Sequence, residues 1–161
     1  MVCMDEQETL RVSKIKNGTV IDHIPAGRAL AVLRLLGITG SEGHVVTVTM
    51  NVRSGKLGRK DLVKVEDLEL VTEQVNKLTL IAPTATINII RNYEVVEKRA
   101  VKLPDRIVGI LRCTNPGCIT RQPMEHVNSK FVVVSKSPLR LECEYCGRYL
   151  EEEEVLKQLT Q

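Results

Sequence analysis

The sequence predicts an α+β protein of two units: an antiparallel sheet with helices on one face, then a small all-β unit. About the first hundred residues show strand-like and helix-like patterns in the order strand, helix, strand, strand, helix, strand, strand. The last third holds four of the five cysteines, in two pairs. The 161 residues, 43% hydrophobic and 27% charged, are typical of a folded protein with one domain or two small ones.

The first unit begins with an extended segment and a helix. An extended run over residues 10–15 resumes over 19–24. Pro25 suits the first turn of a helix, and Gly37 suits its end. Apolar residues recur between them at helical spacing: Ala29, Leu30, Leu33 and Leu36.

A strand, a turn, another strand and a second helix follow. Residues 44–52 have a period of two, which predicts a strand long enough to serve as a sheet edge. A turn over 54–58 leads to a strand that begins at Leu62. Thr72 suits the cap of a helix, which Pro83 then ends.

Two strands over 86–91 and 94–101 complete the first unit. This order of elements is that of the ferredoxin-like fold, one antiparallel sheet with both helices on one face. Residues 102–105 have the composition of a short linker. We therefore expect a first domain over 1–103 and a second over 104–161, the second ending in a helical tail.

Charge and aromatic content argue against nucleic acid as the ligand. The chain has 23 Lys and Arg against 20 Asp and Glu, a net charge of +3, with three Tyr, one Phe and no Trp. Binders of phosphate backbones have a strongly basic face, and single-strand binders stack bases on aromatic side chains. A zinc-ribbon nucleic-acid-binding accessory protein is therefore only the alternative interpretation.

The expected location is the cytoplasm. No apolar run approaches the roughly 18 residues that a membrane span needs. The acidic start, with Asp5 and Glu6, does not resemble a signal peptide.

The clustered cysteines predict a metal site. Cys113 and Cys118 are separated by four residues, Cys143 and Cys146 by two, and 24 residues lie between the pairs. Two such pairs can complete a tetrahedron of thiolates, and in a cytosolic chain a metal is favoured over disulfides. Four protein ligands leave no open position, so we expect one structural zinc per chain in a rubredoxin-like zinc ribbon. A rubredoxin-type iron would use similar ligands, and Cys3 belongs to no cluster.

Several stretches, in order from about Leu10 to Leu150, resemble the regulatory chain of aspartate carbamoyltransferase. They are Gly18–Pro25, Ser54–Asp61, Ala82–Thr86, Asn92–Val95 and the closing four-cysteine unit. The resemblance implies a non-catalytic allosteric subunit of de novo pyrimidine biosynthesis. Its first domain would bind nucleotide effectors, namely CTP, ATP and, as a further candidate, UTP.

The resemblance also implies an assembly. Regulatory chains would form homodimers, and three such dimers would join two catalytic trimers. The strand over 44–52 is the expected dimer edge. In the zinc domain, Asn115 and residues 119–129 are the expected contact with the catalytic chain.

The resemblance further implies an effector site on the first domain. Its residues would be Val12, Ile15, Val20, Asp22, His23, Lys60, Lys64, Asn88, Ile90, Tyr93, Val95 and Lys98. The base would lie against Val12 and Ile15, with polar contacts from the backbone near Ile15 and Tyr93. Asp22 and Lys64 would meet the ribose and the base edge.

The phosphates would face His23 and Lys98. The residues themselves agree, because Lys60, Lys64 and Lys98 together with His23 suit the charge of a triphosphate. Solvated lysines on exposed strands are the alternative. An acid–base pair of Asp22 and His23 would need a nucleophile or a third carboxylate that the sequence does not supply, so we expect no catalytic residues.

Overall fold

The computed structural model describes residues 14–161. The first unit is a five-stranded sheet with the strand order β2-β3-β1-β4-β5. Its elements are β1 (Gly18–Pro25), α1 (Ala29–Leu35), β2 (Val46–Ser54), β3 (Gly58–Glu66), α2 (Thr72–Ile81), β4 (Thr86–Arg91) and β5 (Glu94–Ala100). Val12, Cys3 and the start of the predicted run over 10–15 lie outside the described residues.

The sheet topology confirms the predicted α+β fold class. Strand β1 lies between β3 and β4 and is antiparallel to both, while β2 and β5 are added at the edges. Ile21 faces Val63 on one side and Ile87 on the other, and all three belong to one core with Val32 of α1 and Leu78 of α2. Both helices therefore cover the same face of the sheet, and the opposite face carries no helix of the described chain.

The start of α1 differs from the prediction. Pro25 is the last residue of β1, and the helix begins four residues later, at Ala29. The reason lies on β3, where the buried carboxylate of Asp61 accepts the backbone N–H groups of Gly27 at 2.9 Å and Ala29 at 3.0 Å. Within the helix, Leu30 is 56% exposed, so the helical spacing assigned one apolar residue to the wrong face.

Strand β2 is shifted by two residues from the predicted 44–52 and runs over Val46–Ser54. Its pairing with β3 is irregular between Thr49 and Val52, and Asn51 there has a φ of +59°. The N–H of Asn51 donates to Asp61 Oδ1 at 2.8 Å. One carboxylate therefore fixes both this irregularity and the start of α1.

The second unit is a four-stranded antiparallel sheet followed by a helix, which confirms the predicted all-β unit and helical tail. Its elements are β6 (Arg106–Val108), a 3-10 turn (Ile119–Arg121), β7 (Lys130–Lys136), β8 (Leu139–Cys143), β9 (Tyr149–Glu151) and α3 (Glu152–Thr160). Phe131, Leu141 and Val155 are fully buried in its core.

Helix α3 connects the two units, since it packs against α1 and α2 as well as against β9. Leu156 packs on the core of the first unit, and Leu159 packs on both cores. In the opposite direction, Leu80 of α2 is buried in the core of the second unit. The domain limits of 1–103 and 104–161 stay a prediction, with apolar contacts and α3 crossing them. No helix in residues 14–161 is long and apolar enough to cross a membrane.

Candidate functional site

The four clustered cysteines converge on one point. The ligand atoms of Cys113, Cys118, Cys143 and Cys146 all lie within 4.8 Å of one another, and all four residues are free thiols. Cys113 Sγ lies 3.5 Å from Cys146 Sγ, and Cys118 Sγ lies 3.8 Å from Cys143 Sγ. A tetrahedral zinc with Zn–S bonds of about 2.3 Å requires sulfur–sulfur distances of about 3.8 Å. The cluster thus has the dimensions of a zinc site, and its sulfurs are too far apart for disulfides.

Local backbone hydrogen bonds shape the first cysteine loop. The N–H of Cys118 donates to the carbonyl of Asn115 at 3.1 Å, and the N–H of Gly117 donates to Asn115 Oδ1 at 3.0 Å. The side chain of Asn115 also hydrogen-bonds Cys146 across the cluster. Asn115 therefore ties the first pair of cysteines to the second.

The second loop closes in the same manner. The N–H of Gly147 donates to the carbonyl of Cys143, and the N–H of Cys143 donates to the carbonyl of Arg148, both at 2.9 Å. Gly147 has a φ of +75°, a left-handed conformation that glycine adopts without steric cost. The turn directs Cys143 and Cys146 towards the same point.

The pKa values of the thiols indicate that a cation bound at this site has to displace their protons. Burial raises the pKa of Cys113 to about 12 and raises that of Cys143 as well. Burial has the same sense at Cys146, but hydrogen bonds from the N–H of Arg148 and the side chain of Asn115, and from the neighbouring thiols, lower its pKa to about 7. Buried thiols of this kind release their protons when a cation replaces them. With every ligand supplied by the chain, the cluster is compatible with one structural zinc ion.

The helix-free face of the first sheet carries a row of the predicted effector residues. Val20 on β1 pairs with Lys64 on one side and with Asn88 on the other, and Asn88 pairs with Lys98 on β5. Because successive strand residues alternate between faces, all four lie opposite the core residues Ile21 and Ile87. The structure therefore brings Lys64, Val20, Asn88 and Lys98 into one line across four strands.

Three further predicted residues, Asp22, His23 and Lys60, lie beside this row, towards the end of β1 that leads into α1. Lys60 Nζ is 2.8 Å from Asp22 Oδ1, and the N–H of His23 donates to the same oxygen at 2.7 Å. Burial acts to raise the pKa of Asp22, but the hydrogen bonds from Lys60 and His23 and the charges of both hold it below its ordinary value. The carboxylate is therefore charged at neutral pH and already has partners.

His23 lies in an irregular part of β1 and has a φ of +55°. Its ring Nδ1 is buried, 3.8 Å from Asp22 Oδ2, and within residues 14–161 it has no hydrogen-bond partner. Lys64 is only 8% exposed, and burial lowers its pKa, although the charge of Asp22 acts in the opposite sense. The charged groups at this end thus influence one another electrostatically.

The remaining predicted residues lie at the other end of β1. Ile90 on β4 pairs with Gly18 on one side and with Val95 on the other. Tyr93 lies in the turn between β4 and β5 with a φ of +64°, and its N–H donates to the carbonyl of Lys16 at 2.9 Å. That bond holds the turn next to the segment that contains the buried Ile15. This end is mainly apolar, with Val95 and Tyr93 exposed.

Two residues of this region were missed by the sequence reasoning. Thr47 on β2 pairs with Lys64 and extends the row to the sheet edge. The alternation of β2 contains this signal, since it puts Thr47 and Thr49 on one face. Asp61 entered the sequence analysis only as part of the stretch Ser54–Asp61. No local pattern predicts that its carboxylate accepts backbone N–H groups from residues 10 and more than 30 positions away.

Comparisons with known proteins match both units. The family model "Aspartate carbamoyltransferase regulatory chain, allosteric domain" matches residues 10–102, and the model for the metal binding domain of the same chain matches residues 105–156.

Curated relatives extend the match over nearly the full length. A Korarchaeum cryptofilum protein is 61% identical over 154 residues, 96% of this chain and 98% of the relative. An Ignicoccus hospitalis protein is 65% identical, covering 91% and 94% of the two chains, and one from Saccharolobus solfataricus is 54% identical, covering 99% of both. All three are named aspartate carbamoyltransferase regulatory chain.

Proposed function

The chain belongs to the aspartate carbamoyltransferase regulatory chain family, and from this premise we propose that it binds nucleotide effectors and transmits their binding to a catalytic chain. The family is that of the regulatory chain and not of the catalytic subunit. The proposed setting is de novo pyrimidine biosynthesis in the cytoplasm.

The row of cationic residues on the helix-free sheet face is the observation that supports effector binding. Lys60, Lys64 and Lys98 lie on this face together with His23. Within residues 14–161, the only carboxylate that forms an ion pair with the Lys60 ammonium is that of Asp22. A triphosphate is an acceptor of matching charge, and hydrogen bonds between ionised partners are the strong ones. The proposed ligands are therefore CTP and ATP, with UTP as a further candidate.

The polarity along β1 supports one orientation of the nucleotide. The apolar residues Ile15, Ile90 and Val95 lie at the Gly18 end, whereas Asp22 and His23 lie at the other end. From Gly18 to Asp22 the strand advances four residues, about 13 Å at about 3.3 Å each. We infer that the base lies at the Tyr93 end and the phosphates lie towards His23, facing Lys98 on β5, with the sugar between base and phosphates.

The second unit offers a surface for the catalytic chain. The segment between the first cysteine loop and β7 exposes two apolar side chains, Ile119 at 43% and Met124 at 88%. The nearby Asn115 is held by the cysteine loop. We propose that Asn115 and residues 119–129 contact the catalytic chain, and that the edge strand β2 pairs regulatory chains into dimers. Three dimers would then join two catalytic trimers.

Titration calorimetry with CTP and ATP tests the effector site. Lys98→Ala should weaken both nucleotides by about 1.5–3 kcal/mol, roughly 10- to 150-fold, because it removes a charge-assisted phosphate contact. Lys136→Ala in β7 is the matched control and should leave both affinities unchanged. Normal binding by Lys98→Ala would contradict the proposed site. Retention of RNA on filters together with no heat from either nucleotide would support the zinc-ribbon nucleic-acid-binding alternative instead.

Assembly has a separate test. The zinc-loaded chain alone should sediment as a dimer without carbamoyltransferase activity, and on mixing with a catalytic trimer it should form a larger particle. A chain that stays monomeric and never joins the trimer would refute the proposed assembly.

A further inference from the structure

Two consecutive residues of β3 connect the two faces of the first sheet. Lys60 lies on the helix-free face, where its ammonium contacts Asp22 at 2.8 Å. Asp61 lies on the helix-covered face, fully buried, where it accepts the N–H groups of Gly27 and Ala29. Neighbouring strand residues point to opposite faces, so one peptide unit joins the proposed effector site to the start of α1.

Arg28 lies between Gly27 and Ala29 in the chain, and its side chain contacts both α2 and α3. Arg28 Nη1 donates to the carbonyl of Ile81, the last residue of α2, at 3.1 Å. Arg28 Nη2 lies 3.0 Å from Glu152 Oε1, and the two side chains are 23% and 36% exposed. A single guanidinium thus holds α2 and α3 together at the point where α1 begins.

Glu152 is the first residue of α3, the helix that connects the units. One turn further on, Val155 is fully buried in the core of the second unit, while Leu156 packs on the core of the first. A change at Glu152 therefore alters how α3 is seated between the two cores. Apolar contacts alone are non-directional, whereas the ion pair fixes one geometry.

We propose that Arg28 and Glu152 form an interdomain clasp through which occupancy of the effector site changes the seating of α3 and hence the metal-binding unit. This inference rests on the proposed function. Effector phosphates compete with Asp22 for Lys60 and thereby shift β3. This shift reaches Arg28 through Asp61 and its two N–H partners. A ligand can shift the clasp only by its difference in affinity between the two arrangements, which makes the coupling measurable.

Hydrogen exchange with mass spectrometry on the full zinc-loaded chain, with and without CTP or ATP, tests the clasp. In the wild-type chain, nucleotide should change the exchange of the α3 amides in addition to those of β1 and β4. In Arg28→Met and in Glu152→Gln the change in α3 should fall to about half or less, while the change in β1 and β4 remains. The double variant should show no further loss relative to Arg28→Met, because that substitution already removes the ion pair that Glu152→Gln weakens.

Arg140→Met is the matched control. It removes the exposed ion pair of Arg140 with Glu151, N–O distance 2.9 Å, which lies next to the clasp along the chain but within the second unit. Its α3 response should match that of the wild type. If Arg28→Met does not fold, as judged by circular dichroism, Glu152→Gln decides the result, because the Glu152 side chain is 36% exposed and its substitution is better tolerated.

The possible failures are distinguishable. Absence of nucleotide binding by calorimetry in the wild-type chain would overturn the proposed function. Normal nucleotide binding with an unresponsive α3 in the wild type, or an α3 response that is unchanged in Arg28→Met and Glu152→Gln, would overturn the clasp alone.

Discussion

Replacing Asp61 by asparagine should strongly destabilise the first unit. The carboxylate is fully buried and accepts three backbone N–H groups: Gly27 and Ala29 on Oδ2, and Asn51 on Oδ1. Asparagine has one carbonyl oxygen, so its best orientation keeps the first two and turns an NH₂ group towards the N–H of Asn51.

The expected loss follows from these bonds. One hydrogen bond to a charged group disappears, about 1.5–3 kcal/mol, and the other two fall from charge-assisted to neutral strength, about 0.5–1 kcal/mol each. The sum of about 2.5–5 kcal/mol is a large part of the 5–15 kcal/mol that is typical of a whole domain. Asp61→Ala should be at least as damaging, since it removes all three acceptors.

Urea denaturation of the zinc-loaded variant, followed by circular dichroism, measures this loss. Asp105→Asn is the control, because Asp105 is exposed between the units, and its free energy of unfolding should stay within about 0.5 kcal/mol of the wild type. A loss below about 1 kcal/mol for Asp61→Asn would mean that the three N–H groups find water instead, and that the carboxylate does not fix the start of α1.

Three further outcomes are expected. Zinc chelation or Cys143→Ser should unfold the second unit, seen as loss of the Phe131 signal in NMR. Either change should also lower the melting temperature of the first unit, because Leu80 and α3 pack between the two units, and an unchanged melting temperature would contradict that coupling. The pKa of Asp22 is lowered in the folded state, so this carboxylate stabilises the fold above its unfolded-state pKa, and that stabilisation is lost as the pH falls through its folded-state pKa. Asp22→Asn should therefore reduce the fall in the free energy of unfolding at acid pH, and an unchanged fall would refute the role given to Asp22. Val155→Ala should cost about 2–3 kcal/mol in the second unit, measured by thermal melting, and a smaller loss would mean that the core closes around the gap.

Local patterns account for what the sequence could predict. The fold class followed from periodicity, because an apolar stripe of period two or 3.6 must face a core wherever its partner lies. The metal cluster followed from spacing, because four or two residues between cysteines suffice to bring two sulfurs to one ion. The row of Lys64, Val20, Asn88 and Lys98 came from a family resemblance, and the register of four strands was needed to show that these residues share a face.

The sequence by itself therefore determined the α+β order of elements, the four cysteines that form the candidate metal site and the family to which the chain is similar. Only the tertiary structure decided that Pro25 ends a strand, that Asp61 starts a helix more than 30 residues earlier in the chain, and that Arg28 meets Glu152 across the two units. The physical reason is one of range. Periodicity and cysteine spacing act within a few residues, whereas a buried carboxylate or an interdomain ion pair takes its partners from whichever backbone the packed core brings within about 3 Å.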